Sequence, residues 1–139
     1  RSTMHIVLGG AFNGKRQYVK EHFTEAPLTF FEGEWPNVQR LKPNQIVAIG
    51  RFEAMLQPYA HLSEDEVVAL MLSELRALAS DYTLVCICTD MSRGIVPLEK
   101  DKRRQRDICG RLYQHLCKEA TTVVRIWYGL PQLLKEQIT

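Results

Sequence analysis

An apolar run, Ile6-Val7-Leu8, passes directly into Gly9-Gly10-Ala11-Phe12-Asn13-Gly14-Lys15 and then into residues at helical spacing, and this succession narrows the fold more than any other stretch. The run is of strand length, and Tyr18, Val19, His22 and Phe23 keep the 3.6-residue period of a helix over Lys15 to Phe23. Between them the chain fits G-x-x-x-x-G-K, the pattern of a phosphate-binding loop. Glycines let successive backbone N–H groups converge on phosphate oxygens, the lysine adds a mobile positive charge, and the following helix contributes its N-terminal dipole. The candidate nucleotide-binding residues are therefore Gly9, Gly10, Ala11, Phe12, Asn13, Gly14, Lys15 and Arg16. The pattern normally ends in Ser or Thr, a magnesium ligand, and this chain has Arg16 there, so binding is better supported than catalysis. The plainer alternative is a glycine-rich strand-to-helix turn.

Downstream, strands and helices alternate. Strands are predicted at His5–Leu8, Leu28–Phe31, Gln45–Ile49, Thr83–Cys88 and Val123–Tyr128, with Gly50 ending the third. Ser63 with Glu66 forms a capping box for a helix to Ser80, in which Val67, Leu70, Met71, Glu74, Leu75 and Leu78 keep the period. A basic helix from Lys100 stops before Thr121 and turns Ile108, Leu112, His115 and Leu116 inward, and Pro131 opens a closing helix to Gln137. This alternation predicts a three-layer α/β/α domain of P-loop NTPase type, a mainly parallel sheet covered by helices on both faces. Ligands of such sheets sit beyond the strands' C-terminal ends, which puts the loop, Gly50-Arg51 and Thr89 to Gly94 on one rim.

With 139 residues, 45% of them hydrophobic, one domain is expected, spanning 4–139, with Arg1-Ser2-Thr3 read as an added extension. A net charge of +2 gives no reason to expect wholesale binding to nucleic acid or to a membrane surface. Apolar stretches are only strand-length and no signal peptide is seen, so a soluble cytoplasmic protein without a membrane span is expected. Cys86, Cys88, Cys109 and Cys117 form no C-x-x-C pair and read as core thiols rather than a metal site or disulfides.

Each candidate has a plain counterpart. Lys15 would neutralise the β- and γ-phosphates during phosphoryl transfer, or it simply starts a helix. Asp90 ends a strand on the ligand rim and would hold Mg²⁺ through water or orient an accepting hydroxyl, or it makes a turn. Arg16 offers a guanidinium to phosphate, or an exposed helix charge. Lys100, Lys102, Arg103, Arg104 and Arg106 read as a solvated face with Glu99 and Asp101 interleaved. Trp35, Trp127 and Tyr128 read as core or interface aromatics.

Cys88-Thr89-Asp90-Met91-Ser92-Arg93-Gly94-Ile95-Val96-Pro97, followed by Arg106-Asp107-Ile108-Cys109-Gly110 and Gln114, resembles the family of bifunctional adenosylcobinamide kinase and adenosylcobinamide-phosphate guanylyltransferase. That family runs N-E-V-G-x-G-I-V-P and then R-D-x-x-G-x-x-N-Q, and it opens with G-G-x-R-S-G-K-S against Gly9 to Arg16 here. Thr24 to Glu64 is left poorly matched. The resemblance implies a P-loop fold, cobalamin biosynthesis, ATP or GTP as the nucleotide with Mg²⁺, a corrinoid acceptor, and a homo-oligomer of trimer type. It places Asp90 where the family has the Glu of N-E-V-G. Family members transfer GMP through a histidine after the second strand, and this chain has none between His22 and His61. Their third strand also carries an acid where this chain reads Ala48-Ile49-Gly50-Arg51, the nearest acid being Glu53. The expectation is an adenosylcobinamide kinase-like phosphotransferase that has lost its guanylyltransferase half. Its rival is a degenerate nucleotide-binding or assembly subunit without turnover.

Overall fold

The computed structural model describes residues 3–9, 14–37, 39, 41–42, 44–89, 100–127 and 130–136. In chain order it runs β1 (Thr3–Gly9), α1 (Lys15–His22), β2 (Leu28–Glu32), β3 (Ile46–Gly50), a 3₁₀ segment (Phe52–Tyr59), α2 (Glu64–Asp81), β4 (Thr83–Thr89), α3 (Lys100–Glu119), β5 (Thr122–Trp127) and β6 (Leu130–Glu136). The strands form one six-stranded mixed sheet in the order β2-β3-β4-β1-β5-β6. Five are mutually parallel; β6 runs antiparallel to β5.

Alternation along the strands divides the core between two faces. Val19 of α1 packs with Val7, Ile46, Val85, Val124 and Ile126 on one face. The other face carries Ile6, Val47, Ile49, Leu84, Cys86 and Cys88, covered by α2, α3 and the 3₁₀ segment. β3 is buried throughout, as a central parallel strand with both faces covered must be. Phe52, fully buried, meets Tyr113 of α3 edge-on, with ring centroids 6.0 Å apart.

Local signals account for most boundaries. The Ser63 hydroxyl accepts a hydrogen bond from the Glu66 amide at 3.2 Å, so the expected capping box starts α2, and Glu64, Asp65 and Glu66 complement its dipole. The buried stripe of α2 is Val67, Val68, Met71, Leu72, Leu75, Leu78 and Ala79; Leu70, expected inside, is 46% exposed, because the sheet covers a narrower arc than the apolar pattern offers. On α3, Ile108, Leu112 and Leu116 are buried as expected, with Cys109, whereas His115 is exposed. β1 begins at Thr3, paired with Thr83, one residue earlier than the expected domain start.

The closing helix expected over Pro131 to Gln137 is not formed; Leu130–Glu136 is a strand. Only two residues, 128–129, separate it from β5, a connection that suits antiparallel neighbours. Hydrogen bonding to the open edge of β5 outweighs the helical preference of Gln132, Leu133 and Leu134. Pro131 is tolerated because an edge strand has one side without ladder bonds.

Candidate functional site

The site forms where the chain's crossovers diverge. β1 is followed by α1 on one face of the sheet, and its neighbour β4 is followed by α3 on the other. Adjacent strands whose connections leave toward opposite faces open a crevice at their C-terminal ends, the topological switch point of α/β sheets. Gly9 and Thr89, the paired last residues of β1 and β4, mark it.

Lys15, the first residue of α1, folds back over this end of β1. A Cβ added at Gly9 would lie 3.5 Å from both Cγ and Cδ of Lys15 and 3.0 Å from the Ile126 carbonyl oxygen of β5. Gly9 is therefore a place where two neighbours approach too closely for a side chain. Gly14, at φ 79°, adopts the left-handed conformation that launches α1, and its carbonyl accepts the Tyr18 amide at 3.0 Å. The first turn of α1 carries no acidic residue, so nothing there offsets the helix's positive end, while Lys20 and His22 occupy the last turn. Lys15 is 9% exposed. Burial pushes its ammonium below the ordinary lysine pKa, and the Cys88 and Glu53 side chains oppose that shift.

Glu53 is the residue the sequence reading passed over as merely the nearest acid. Backbone geometry brings it to the rim: Arg51 takes φ 55°, a left-handed value uncommon for a non-glycine residue, and turns the chain out of β3 into the 3₁₀ segment. Gly33, at φ 74°, donates its amide to the Gly50 carbonyl at 2.9 Å and lies against Ala54, bracing the same turn. Glu53 Oε1 is 3.9 Å from Arg51 Nε, and its charge acts on Lys15. Glu53 thus lies three residues beyond Gly50, the last residue of β3.

Arg16 is otherwise engaged. Its guanidinium is 3.2 Å from the Glu32 carboxylate and 4.8 Å from the Phe30 ring centroid, tying α1 to β2 rather than facing the β1 end. The basic run of α3 is partly structural: Arg104 donates to the Tyr59 and Leu62 carbonyls at 3.0 and 2.7 Å, closing the end of the 3₁₀ segment. Lys102 and Arg103 are exposed, as expected of a solvated face. Gly10, Ala11, Phe12, Asn13 and Asp90 lie outside the described residues.

Beside Gly9, between α3 and the outer strands, is a cavity of about 690 Å³. Arg106, Gly110 and Gln114, one face of α3, line it, so the loop's first glycine and the α3 motif meet in one place. Cys86, Cys88 and Cys109 are buried, Cys117 is half-buried, and none is in a disulfide. Among the described residues no group of His, Cys, Asp and Glu is arranged to hold a metal by itself, and no helix is long and apolar enough to cross a membrane.

No family model and no curated protein matches the chain. Among solved structures it is similar to a Pyrococcus horikoshii OT3 protein from a structural study, at 8% identity and a TM-score of 0.42, over 98% of this chain and 74% of that one. A likeness of that size adds nothing to the fold described above.

Proposed function

We propose that the chain is a P-loop nucleotide-binding domain of adenosylcobinamide-kinase type, gripping the phosphates of ATP or GTP on Gly9 to Lys15 and lacking the guanylyltransferase half. The observation that carries this reading is Lys15, nearly buried and folded over Gly9 at the switch point of the sheet. A cation set back among the sheet ends acts on a bound anion through surroundings that screen it less than open solvent does. A triphosphate beside Gly9 would meet that cation together with the amides opening α1.

In this mechanism Lys15 grips the β- and γ-phosphates, and Asp90 orients the accepting hydroxyl of the corrinoid for in-line attack. Magnesium is held in such sites through one or two carboxylates plus the phosphates themselves. Glu53 fits that requirement as an oxygen donor whose charge reaches Lys15, with Asp90 as a second, whereas Arg16 offers no ligand. Bound there, Mg²⁺ would neutralise charge on the β- and γ-oxygens. A soluble homo-oligomer, trimeric by the same resemblance, belongs to this reading.

The second reading, a nucleotide binder without turnover, is favoured by one observation: Arg16 stands in the magnesium-ligand position and is held by Glu32 and Phe30. Two measurements decide. ATP or GTP at about one hundred times Kd should stabilise the fold by about 2.7 kcal/mol, raising Tm, and Lys15→Ala should abolish the effect. Labelled γ-phosphate should then appear on adenosylcobinamide. Stabilisation without transfer selects the non-catalytic binder, and no stabilisation by either triphosphate or its diphosphate overturns both.

A further inference from the structure

α3 covers only part of its face of the sheet. Among the described residues no helix covers β5 and β6 on that side toward the outer edge, and the 690 Å³ cavity lies there. Its volume falls within the roughly 300–1,000 Å³ of small-molecule sites. Part of the wall is apolar: Leu8 of β1, the ring of Tyr113 and Leu134 of β6. The charged residues in the rest of the described lining are cations. Arg106 and Lys118 enter from α3 and Arg125 from β5, and no carboxylate is among the lining residues described. Arg125 stands in register with Leu8, which sets a guanidinium directly beside the apolar wall. Arg106 is 27% exposed and lies 3.6 Å from Asp107, which borders an adjoining cavity rather than this one.

Cations planted in a concave, partly apolar wall attract anions more strongly than the same charges on an open surface, because the low-dielectric surroundings screen them less. Guanidinium groups add planar, bidentate recognition of phosphate or carboxylate. We propose that this groove binds a small organic anion, its apolar body against Leu8, Tyr113 and Leu134 and its acidic head among Arg106, Lys118 and Arg125. The site adjoins the phosphate grip at Gly9, which also lines it, but Lys15 is not among the cations that line it.

Cys117 reports on occupancy. It lines the groove and is half-buried, while the other three thiols are buried, with burial pushing Cys109 up to about 11 and raising Cys86 and Cys88 as well. Alkylation by iodoacetamide, followed by mass spectrometry on the full chain, should therefore begin at Cys117. Three probes share one ring system: 2-naphthyl phosphate, 2-naphthoate and neutral 2-naphthol. At about ten times Kd an anionic probe should slow modification about tenfold, since only the empty groove reacts. The neutral probe should not protect. Whichever anion protects better identifies the acidic head as phosphate or carboxylate. Protection should weaken in Arg125→Gln and in Lys118→Gln, the latter altering an exposed residue at the helix end, and should persist in Lys15→Ala. Equal protection by 2-naphthol, protection lost in Lys15→Ala, or no protection by either anion at millimolar concentration would overturn the proposal.

Discussion

Gly9 shows how much one absent side chain can determine. Its missing Cβ leaves room for the Lys15 side chain on one side and for the Ile126 carbonyl on the other. Gly9→Ala should thus move β5 or displace Lys15, at a cost of about 1–3 kcal/mol for overpacking. Urea denaturation should show the lower midpoint, and any nucleotide stabilisation should fall with it. Gly14→Ala makes a useful contrast: among the described residues nothing lies within 4 Å of its added Cβ, so its penalty there comes from φ 79°. A wild-type midpoint in Gly9→Ala would mean that the Lys15 contact is loose. Lys15 itself was legible in the sequence because the glycine frame that positions it is local. Glu53 was not, since its place on the rim depends on the Arg51 backbone and on how the 3₁₀ segment packs, neither of which leaves a pattern in neighbouring residues.

Among the elements, five strands and three helices follow from hydrophobic period and capping, which are written within each segment. The exception is β6. Leu130-Pro131-Gln132-Leu133-Leu134 carries a helix-start proline and good helix formers, yet its structure is decided by the free edge of β5, information held elsewhere in the chain. The strand retains leucines on the outside, Leu130, Leu133 and Leu134 being 70%, 55% and 50% exposed. α3 presents the reverse case, in which residues that read as solvated do structural work. Arg104 satisfies two carbonyls at the end of the 3₁₀ segment, while Arg76 pairs with Glu119 between exposed surfaces of α2 and α3 at 2.7 and 2.8 Å. Removing the first takes a donor from both part-buried carbonyls, of which Tyr59's keeps the Leu62 amide at 3.0 Å; removing the second breaks a surface pair. Arg104→Ala should cost about 1–3 kcal/mol and Arg76→Ala at most about 1. Chemical denaturation of both variants checks the order, and a reversed order would assign the helix-to-segment joint to packing instead.

For the molecule as a whole, the titrating groups imply a stability maximum near neutral pH. His5, its Nδ1 2.6 Å from the Thr122 hydroxyl, has its pKa lowered by burial from the ordinary 6.5, with Glu25 opposing. The unfolded chain then binds more protons just below 6.5, so stability falls as pH drops through that window to the folded-state value. Glu119, lowered from 4.5 by its hydrogen bond to Arg76, extends the loss further into acid. On the alkaline side Cys86, Cys88 and Cys109 are raised from 9.0 by burial, so the unfolded chain ionises first and stability falls above about that pH. Lys15, lowered from 10.5, works against this alkaline loss. Denaturation midpoints should peak between 6.5 and 9.0, and His5→Gln should flatten the slope just below 6.5. An unchanged slope in that variant would exclude His5 as its source.

The position of β1 has a consequence for synthesis. Translation delivers this strand before the other five, yet both of its hydrogen-bonding partners, β4 and β5, follow more than seventy residues later in the sequence given. While a ribosome is still extending the polypeptide, Met4, Ile6 and Val7 have no sheet to enter, so the central strand waits with its apolar side chains and backbone donors exposed. A nascent chain of this design is open to chaperones, and to mispairing with its neighbours on a polysome, through the residues of β1, until the emergence of β5 encloses them.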